Sequence, residues 1–285
     1  MIAVYIKLFR CKHYIKNLLI LVPLVCSGQF FNYPSILVRL LFAFICFCCL
    51  ASSIYITNDI LDRPKDIKHP KKCHRPVAKG IIKVKTAAIL AGMLLLFSLF
   101  LATWLSIQSS FAVISVLLVY YFFNIAYSIK LKHIPIIEVA ILASGFLIRV
   151  LFGGFVTGIE VSSWLYLTIL SISFYLGLGK RRNEMEQLSQ NNTRKVLKHY
   201  NQRFLDRNMY MFLTLTLCFY SLWAMEQGNW ALWSIIIVII GCMRYSLIVE
   251  GTSDGDPTEV ILKDKQLILI AMIYGLYMIT TIYML

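Results

Sequence analysis

Nine consecutive residues, Asn58-Asp59-Ile60-Leu61-Asp62-Arg63-Pro64-Lys65-Asp66, hold an amide and three carboxylates in a chain with only 14 acidic residues. Asn58, Asp62 and Asp66 are four apart, so a continuing helix stacks them on one face. Carboxylates crowded at the end of an apolar helix repel one another, and leaving them unpaired there is costly. A hard divalent cation relieves that cost. Mg2+ suits the set, because it takes few protein carboxylates, keeps waters and is completed by phosphate oxygens. We expect Asn58, Asp62 and Asp66 as metal ligands; a solvated helix end is the alternative. Pro64 disfavours helical geometry at Arg63, which would move Asp66 off that face and onto the following loop.

A cationic stretch follows: His69-Pro70-Lys71-Lys72-Cys73-His74-Arg75-Pro76-Val77-Ala78-Lys79-Gly80. Acids that hold a metal, running directly into Lys and Arg, are what a polyphosphate needs: metal on one set of oxygens, cations on the others. Arg75, between Lys72 and Pro76 in a rigid turn, is the strongest candidate. Ordinary loop charge is the alternative for individual lysines. The second half repeats the theme more weakly. Tyr127-Ser128-Ile129-Lys130-Leu131-Lys132 closes one apolar segment, and Glu138 and Arg149 lie in the next. Positions 138, 142, 145 and 149 share a helical face, with Gly145 leaving room beside it. An Arg deep in an apolar helix is costly and by default functional. We expect Arg149 to contact a phosphate or sugar from a stripe kept open by Gly145 and Gly153, tied to Glu138 on the same face; a structural ion pair is the alternative. Gly179-Lys180-Arg181-Arg182-Asn183-Glu184 ends a further segment, where a basic cluster also suits the helix dipole and an anionic leaflet.

The elements that must carry these residues follow from composition. Of 285 residues, 59% are apolar and 15% charged, and the mean hydropathy is +0.73. A soluble domain is closer to half apolar and a quarter charged, so disordered, collagen-like and ordinary cytosolic chains are excluded. A polytopic membrane protein remains, an all-α chain whose apolar segments cross as helices. Nine such runs fall at about 16–31, 36–56, 84–105, 111–129, 134–156, 164–179, 209–225, 230–248 and 267–285. The first is short and amphipathic at its start. Residues 1–285 read as one integral membrane domain.

Lys and Arg number 28 against 14 acids, a net charge of +14. In a soluble chain that suggests nucleic acid; here the positive-inside bias explains it, and no nucleic-acid partner is expected. The connections near 31–35, 106–110, 157–163 and 226–229 lack Lys and Arg, while the opposite ends hold every cation but Arg39 and Arg149. That side is expected to be cytoplasmic, with the N-terminus inside and the C-terminus outside. No cleavable signal is visible. The eight cysteines show no paired or metal-ligand spacing and read as small core residues. His13, His69, His74, His133 and His199 also lack metal spacing, and solvated positions suit them better.

Asn58-Asp59-x-x-Asp62-x-x-x-Asp66 after an apolar helix resembles the first aspartate-rich motif of the UbiA superfamily of intramembrane prenyltransferases. The rest is similar to one branch, the decaprenyl-phosphate phosphoribosyltransferases. The similar stretches are Tyr14-Ile15-Lys16-Asn17, His69-Pro70-x-Lys72-x-x-Arg75-Pro76, Tyr127-Ser128-x-x-Leu131-Lys132 and Ser144-Gly145-Phe146-Leu147-Ile148-Arg149 with Gly153-Gly154. Gly179-Lys180-Arg181-Arg182-Asn183-Glu184 and Pro257-Thr258-Glu259-Val260-x-Leu262-x-Asp264 complete them. The resemblance runs nearly the full length. Members that prenylate aromatic rings usually carry a second aspartate-rich motif, which this chain lacks. Where the branch typically starts its fifth helix with Asp, this chain has Glu138, a longer carboxylate that keeps the role with shifted geometry or belongs to a variant substrate preference.

The resemblance implies nine transmembrane helices around a central cavity open to the cytoplasm and to lipid, in the inner (plasma) membrane. It implies Mg2+-dependent transfer of 5-phosphoribose from phosphoribosyl diphosphate to a polyprenyl phosphate, releasing diphosphate, and so a place in cell-envelope biosynthesis. Asp59, Asp62, Asp66 and Arg75 would be catalytic. Lys16, Asn17, Lys72, Arg75, Tyr127, Lys132, Glu138, Arg149, Lys180 and Arg181 would bind substrate, and small residues such as Gly145, Gly153 and Gly154 would make room for the polyprenyl tail. The acceptor phosphate is already ionised near neutrality, so no general base is required. An aromatic or quinone-type prenyltransferase is the second reading, separated by its second acidic cluster. A non-catalytic lipid carrier or transporter is the third; it predicts charge on both faces, and the outer connections are nearly bare of it.

Overall fold

The computed structural model describes residues 2–29, 34–68, 72–186, 195–251 and 257–284, and among these the regular structure is entirely helical. His69, Pro70 and Lys71 of the basic stretch lie outside the described residues, as do the side chains of Pro257, Thr258 and Glu259. The chain divides into two compact units.

Unit 1 comprises Met1–Leu24, Phe30–Lys132 and Ile148–Glu160. It begins with α1 (Ile2–Phe9), a 3-10 helix (Cys11–Leu21) and the start of α2 (Val22–Cys26). The long α3 (Pro34–Asp66), α4 (Val84–Gln108) and α5 (Ala112–Ile129) follow, with the second half of α6 (Ile137–Thr157). Small side chains let α3 and α4 approach closely. Ser53 Oγ donates to the Ala91 carbonyl at 2.8 Å and Ser98 Oγ to that of Cys46 at 2.9 Å, the kind of cross-helix bond that holds helices in lipid. Phe47, Tyr120 and Phe152 fill the centre of the unit.

Unit 2 comprises Val25–Gln29, His133–Leu147 and Val161–Leu285. It contains the first half of α6, then α7 (Ser163–Glu186), α8 (Gln202–Glu226), α9 (Ser234–Val249), α10 (Pro257–Lys263) and α11 (Lys265–Met284). Phe174 and Phe212 stack with ring centres 4.7 Å apart between α7 and α8. Asn201 caps α8, accepting from the Phe204 N–H at 2.8 Å, which satisfies an otherwise orphaned donor.

Both units turn large apolar side chains outward. Leu96, Phe100 and Leu276 are each more than two-thirds exposed, which in water would be an aggregation surface and in lipid is the ordinary outer face. Seven helices among the described residues are long and apolar enough to cross a membrane. The two expected spans that are not among them have specific reasons. Of the expected span 16–31, residues 30 and 31 lie outside the described residues, and in the rest the 3-10 segment gives way to α2, where Pro23 occupies the first turn, the place a helix tolerates proline. The segment 164–179 lies inside α7, which is 24 residues long and spans about 36 Å. Its last turns carry Lys180, Arg181, Arg182 and two glutamates, so polarity rather than length sets it apart.

Candidate functional site

The 33 residues of α3 extend about 50 Å, against a hydrocarbon core of ~30 Å, so the acidic end has length to spare beyond the apolar stretch. Contrary to the loop expected after Pro64, the helix continues through it to Asp66. Tertiary bonds hold the last turn against the local preference. Arg63 Nε donates to the Val77 carbonyl at 3.2 Å, and Asp66 Oδ2 accepts from Arg75 Nη1 at 2.7 Å.

Every carboxylate at this end is met by a cation within unit 1. Arg75 Nη1 also reaches Asp59 Oδ1 at 3.1 Å, so one guanidinium nitrogen is shared by two aspartates. Asp59 is buried and further bonded by Arg10. Lys132 Nζ lies 2.6 Å from Asp62 Oδ1. Arg75 is set by its own turn, its N–H donating to the Lys72 carbonyl at 3.0 Å while its carbonyl accepts from the Lys79 N–H at 2.8 Å. Lys72 and Asn58 are half-buried nearby in sequence.

The sequence does not single out Arg10, which the fold brings to Asp59. Arg10 occupies a left-handed backbone (φ 54°) at the joint after α1, with its guanidinium 4.9 Å from the Tyr55 ring centre. In sequence it is one of several N-terminal cations, and nothing local distinguishes it from Lys7 or Lys12.

Among the described residues, no group of three His, Cys, Asp or Glu is gathered tightly enough to make an all-protein metal site. Mg2+ does not need one, since one or two carboxylates with waters and phosphate oxygens suffice. The donors here are hard oxygens, and two of the carboxylates already converge on one positive atom, Arg75 Nη1. The residues present therefore fit such an ion.

Arg149, on the α6 half belonging to unit 1, is buried. Its Nε donates to Asn17 Oδ1 and its Nη2 to the Tyr120 hydroxyl, both at 2.8 Å. The guanidinium also lies 4.9 Å from the Phe47 ring centre and 5.0 Å from that of Tyr120, within cation–π range. Asn17 is buried in turn and donates to Cys48 Sγ at 3.2 Å. Two expectations are corrected here. Glu138 is not tied to Arg149: eleven residues of helix separate them by about 16 Å, and Glu138 bonds elsewhere. Gly153 does not leave room for substrate, because a Cβ there would run into the backbone carbonyl of Ile20; that glycine serves close packing. Tyr127 and Lys16 are half-buried.

In unit 2, Glu138 sits in the first turn of α6 and is fully buried. Its Oε1 lies 2.5 Å from Arg181 Nε, and Arg181, equally buried, also pairs with Glu184. Gly177 permits this, since a Cβ there would come within 3.0 Å of Val139 Cγ1, so α6 and α7 lie close at this level. Arg182 pairs with Asp206 at 2.7 Å, and Lys180 is the half-buried member of the cluster.

Of the histidines, His74, His133 and His199 are exposed and His13 is half-buried. None of the eight cysteines is in a disulfide; Cys46, Cys48 and Cys242 are buried and Cys218 is exposed.

Transmembrane helices bearing an acidic helix end laced with phosphate-competent cations define a polytopic all-α membrane protein of the intramembrane transferase class. The chain belongs to the UbiA prenyltransferase family, whose model matches residues 20–263. It is 33% identical over 280 residues to the decaprenyl-phosphate phosphoribosyltransferase of Mycolicibacterium smegmatis, covering 92% of this chain and 87% of that one. The protein of the same description from Corynebacterium glutamicum is 32% identical over 292 residues, covering 98% and 86%. The fold matches that of a UbiA homolog from Archaeoglobus fulgidus bound to DMAPP and Mg2+, with a TM-score of 0.73, 17% identity and 99% of both chains covered.

Proposed function

We propose that this protein transfers 5-phosphoribose from phosphoribosyl diphosphate to a polyprenyl phosphate. The bond from ribose C1 to the diphosphate oxygen breaks, a bond from C1 to an oxygen of the acceptor phosphate forms, and diphosphate leaves. The observation that carries this reading is the likeness over 92% of the chain to a decaprenyl-phosphate phosphoribosyltransferase. The chemistry of the residues agrees with it. Basic residues Lys180, Arg181 and Arg182 lie in the last turns of α7, and the second aspartate-rich motif usual in members that prenylate aromatic rings is absent from the sequence.

Asn58, Asp62 and Asp66 would hold Mg2+, which when bound supplies positive charge to the leaving diphosphate. Asp59 and Asp66 hold Arg75 at the same helix end, and Arg75, Lys72 and Lys132 grip phosphate oxygens as the C1 bond breaks. The acceptor oxygen arrives ionised, so the chain need not remove a proton from it. Lys16, Asn17, Tyr127 and Arg149 form a second set of donors in unit 1, and Lys180 and Arg181, steadied by Glu138, a set in unit 2. The whole chain, residues 1–285, serves as one catalytic domain with nine crossings, its N-terminus and acidic helix end facing the cytoplasm.

The deciding assay gives the purified protein radiolabelled phosphoribosyl diphosphate, Mg2+ and a series of polyprenyl phosphates. Label should enter the lipid fraction. Prenylation of 4-hydroxybenzoate without phosphoribosyl transfer would instead favour the aromatic reading. Reporters fused at Ser110 and Gly228 should be extracytoplasmic and those at Lys79 and Asn191 cytoplasmic; consistent inversion overturns the orientation.

A further inference from the structure

The turn that starts α6 is strained, and one side chain outside the motifs restrains it. Ile136 has φ 66°, a left-handed conformation that is a genuine outlier for a β-branched residue. The Ile137 N–H donates to the Pro135 carbonyl at 2.7 Å. A bond across two residues with a positive central φ is the pattern of the rare, strained γ-turn. Such strain persists only where the surroundings over-determine it. Here the surroundings are Tyr200, whose hydroxyl accepts from the Ile136 N–H at 2.6 Å. Tyr200 itself is buried, stacked on Phe204 with ring centres 5.9 Å apart and an interplanar angle of 20°.

Directly after that turn comes Glu138, whose Oε1 holds Arg181 while its buried Oε2 has no hydrogen-bond partner among the described residues. With its oxygen accepting from Ile136, the Tyr200 hydroxyl keeps its own proton to offer the neighbouring carboxylate. Burial raises the Tyr200 pKa above its ordinary value, and the Glu138 charge raises it further, so the hydroxyl stays protonated.

We propose that Tyr200 is a positioning residue for the basic end of α7: it pins the Pro135–Ile136–Ile137 turn and the Glu138 carboxylate, and through them sets Arg181 and the adjoining Lys180. This rests on the reading that Lys180 and Arg181 serve phosphates of the donor. Tyr200 touches no substrate; it acts through Glu138.

Tyr200→Phe in the full-length protein removes one oxygen and keeps the ring on Phe204. The KM for phosphoribosyl diphosphate should rise about tenfold, the size expected of one hydrogen bond to a charged group. The kcat, and the KM for polyprenyl phosphate, should stay within about twofold. Adding Ile136→Gly should restore most of the lost affinity, because glycine takes a positive φ without strain and no longer needs the clamp. A lower thermal midpoint with unchanged KM for the donor, or no rescue by Ile136→Gly in a folded protein, would overturn the proposal. If the wild type transfers no phosphoribose, the functional reading fails by itself. The clamp is then judged from hydrogen exchange at the Ile136 amide, and exchange no faster in Tyr200→Phe than in wild type would refute it.

Discussion

The acidic end of α3 and the buried pair at the start of α6 use the same residue types to opposite ends. At the first, the side chains of Arg10, Arg75 and Lys132 are 21%, 25% and 14% exposed. At the second, Arg181 is 1% exposed and Glu138 not at all. A partly hydrated cation can leave one set of oxygens for another at small cost, whereas separating a buried pair strands a charge in a poor solvent. The cluster in unit 1 thus suits exchange of partners with anionic ligands, whereas in unit 2 Glu138 fixes Arg181 where it stands.

The largest effect should come from the exchangeable cluster. Chelation should stop phosphoribosyl transfer, with recovery on adding Mg2+, and Asp62→Ala should abolish turnover while expression stays near that of wild type. Full turnover in chelator would remove the metal role and with it one side of the contrast. Next, the fixed pair should matter most for stability. Glu138→Ala takes from the buried Arg181 guanidinium its fully buried counter-charge, leaving Glu184, whose side chain is 23% exposed, and should cost about 3–5 kcal/mol, read as a large drop in the thermal midpoint in detergent. Arg10→Ala, which leaves Asp59 with Arg75, should cost much less; equal losses would erase the distinction.

Arg149 tests an intermediate case, buried like Arg181 yet bonded to Asn17 and Tyr120. Arg149→Lys keeps the charge but loses the planar fork. Much of the activity should go, with stability little changed, if the fork also meets substrate. Full activity in Arg149→Lys, or mere unfolding in Arg149→Ala, would place Arg149 with the structural pair.

The smallest effect concerns Asp264, between α10 and α11. A hydrogen bond from Arg244 holds its carboxyl below the usual 3.8, and the Leu267 N–H adds to that. A folded-state pKa below the unfolded one contributes stability that is present above the unfolded value and is lost as pH falls through the folded value. Wild type should therefore lose a slight advantage over Asp264→Asn below about pH 4. An unchanged difference across acid melts would show that the pair contributes nothing.

Part of the site was legible in the sequence and part was not. The spacing of Asn58, Asp62 and Asp66 marked the acidic end, yet the pair that meets on one guanidinium is Asp59 and Asp66. At 3.6 residues per turn, positions seven apart are offset by about 20° and positions eight apart by about 80°, so the better-aligned pair was already in the numbers. Arg75 stood out because it followed the acids within a short turn. Arg10 and Tyr200 did not, since each reaches its partner across more than forty residues. Nor does local sequence reveal a left-handed Arg or Ile.

By itself the sequence determined that this chain lives in a membrane, that its regular structure is helical, and which helix end carries the acids. Lipid forces this legibility: a spanning segment must satisfy its own backbone and show apolar side chains outward, and both demands are written along one dimension. The tertiary structure alone decided which cation meets which carboxylate, that α3 runs on through Pro64, that Gly153 yields to the Ile20 backbone, and that Glu138 turns to Arg181 rather than Arg149. Those outcomes depend on contacts between segments far apart in the chain, whose energies outweigh local preferences of about 1–3 kcal/mol.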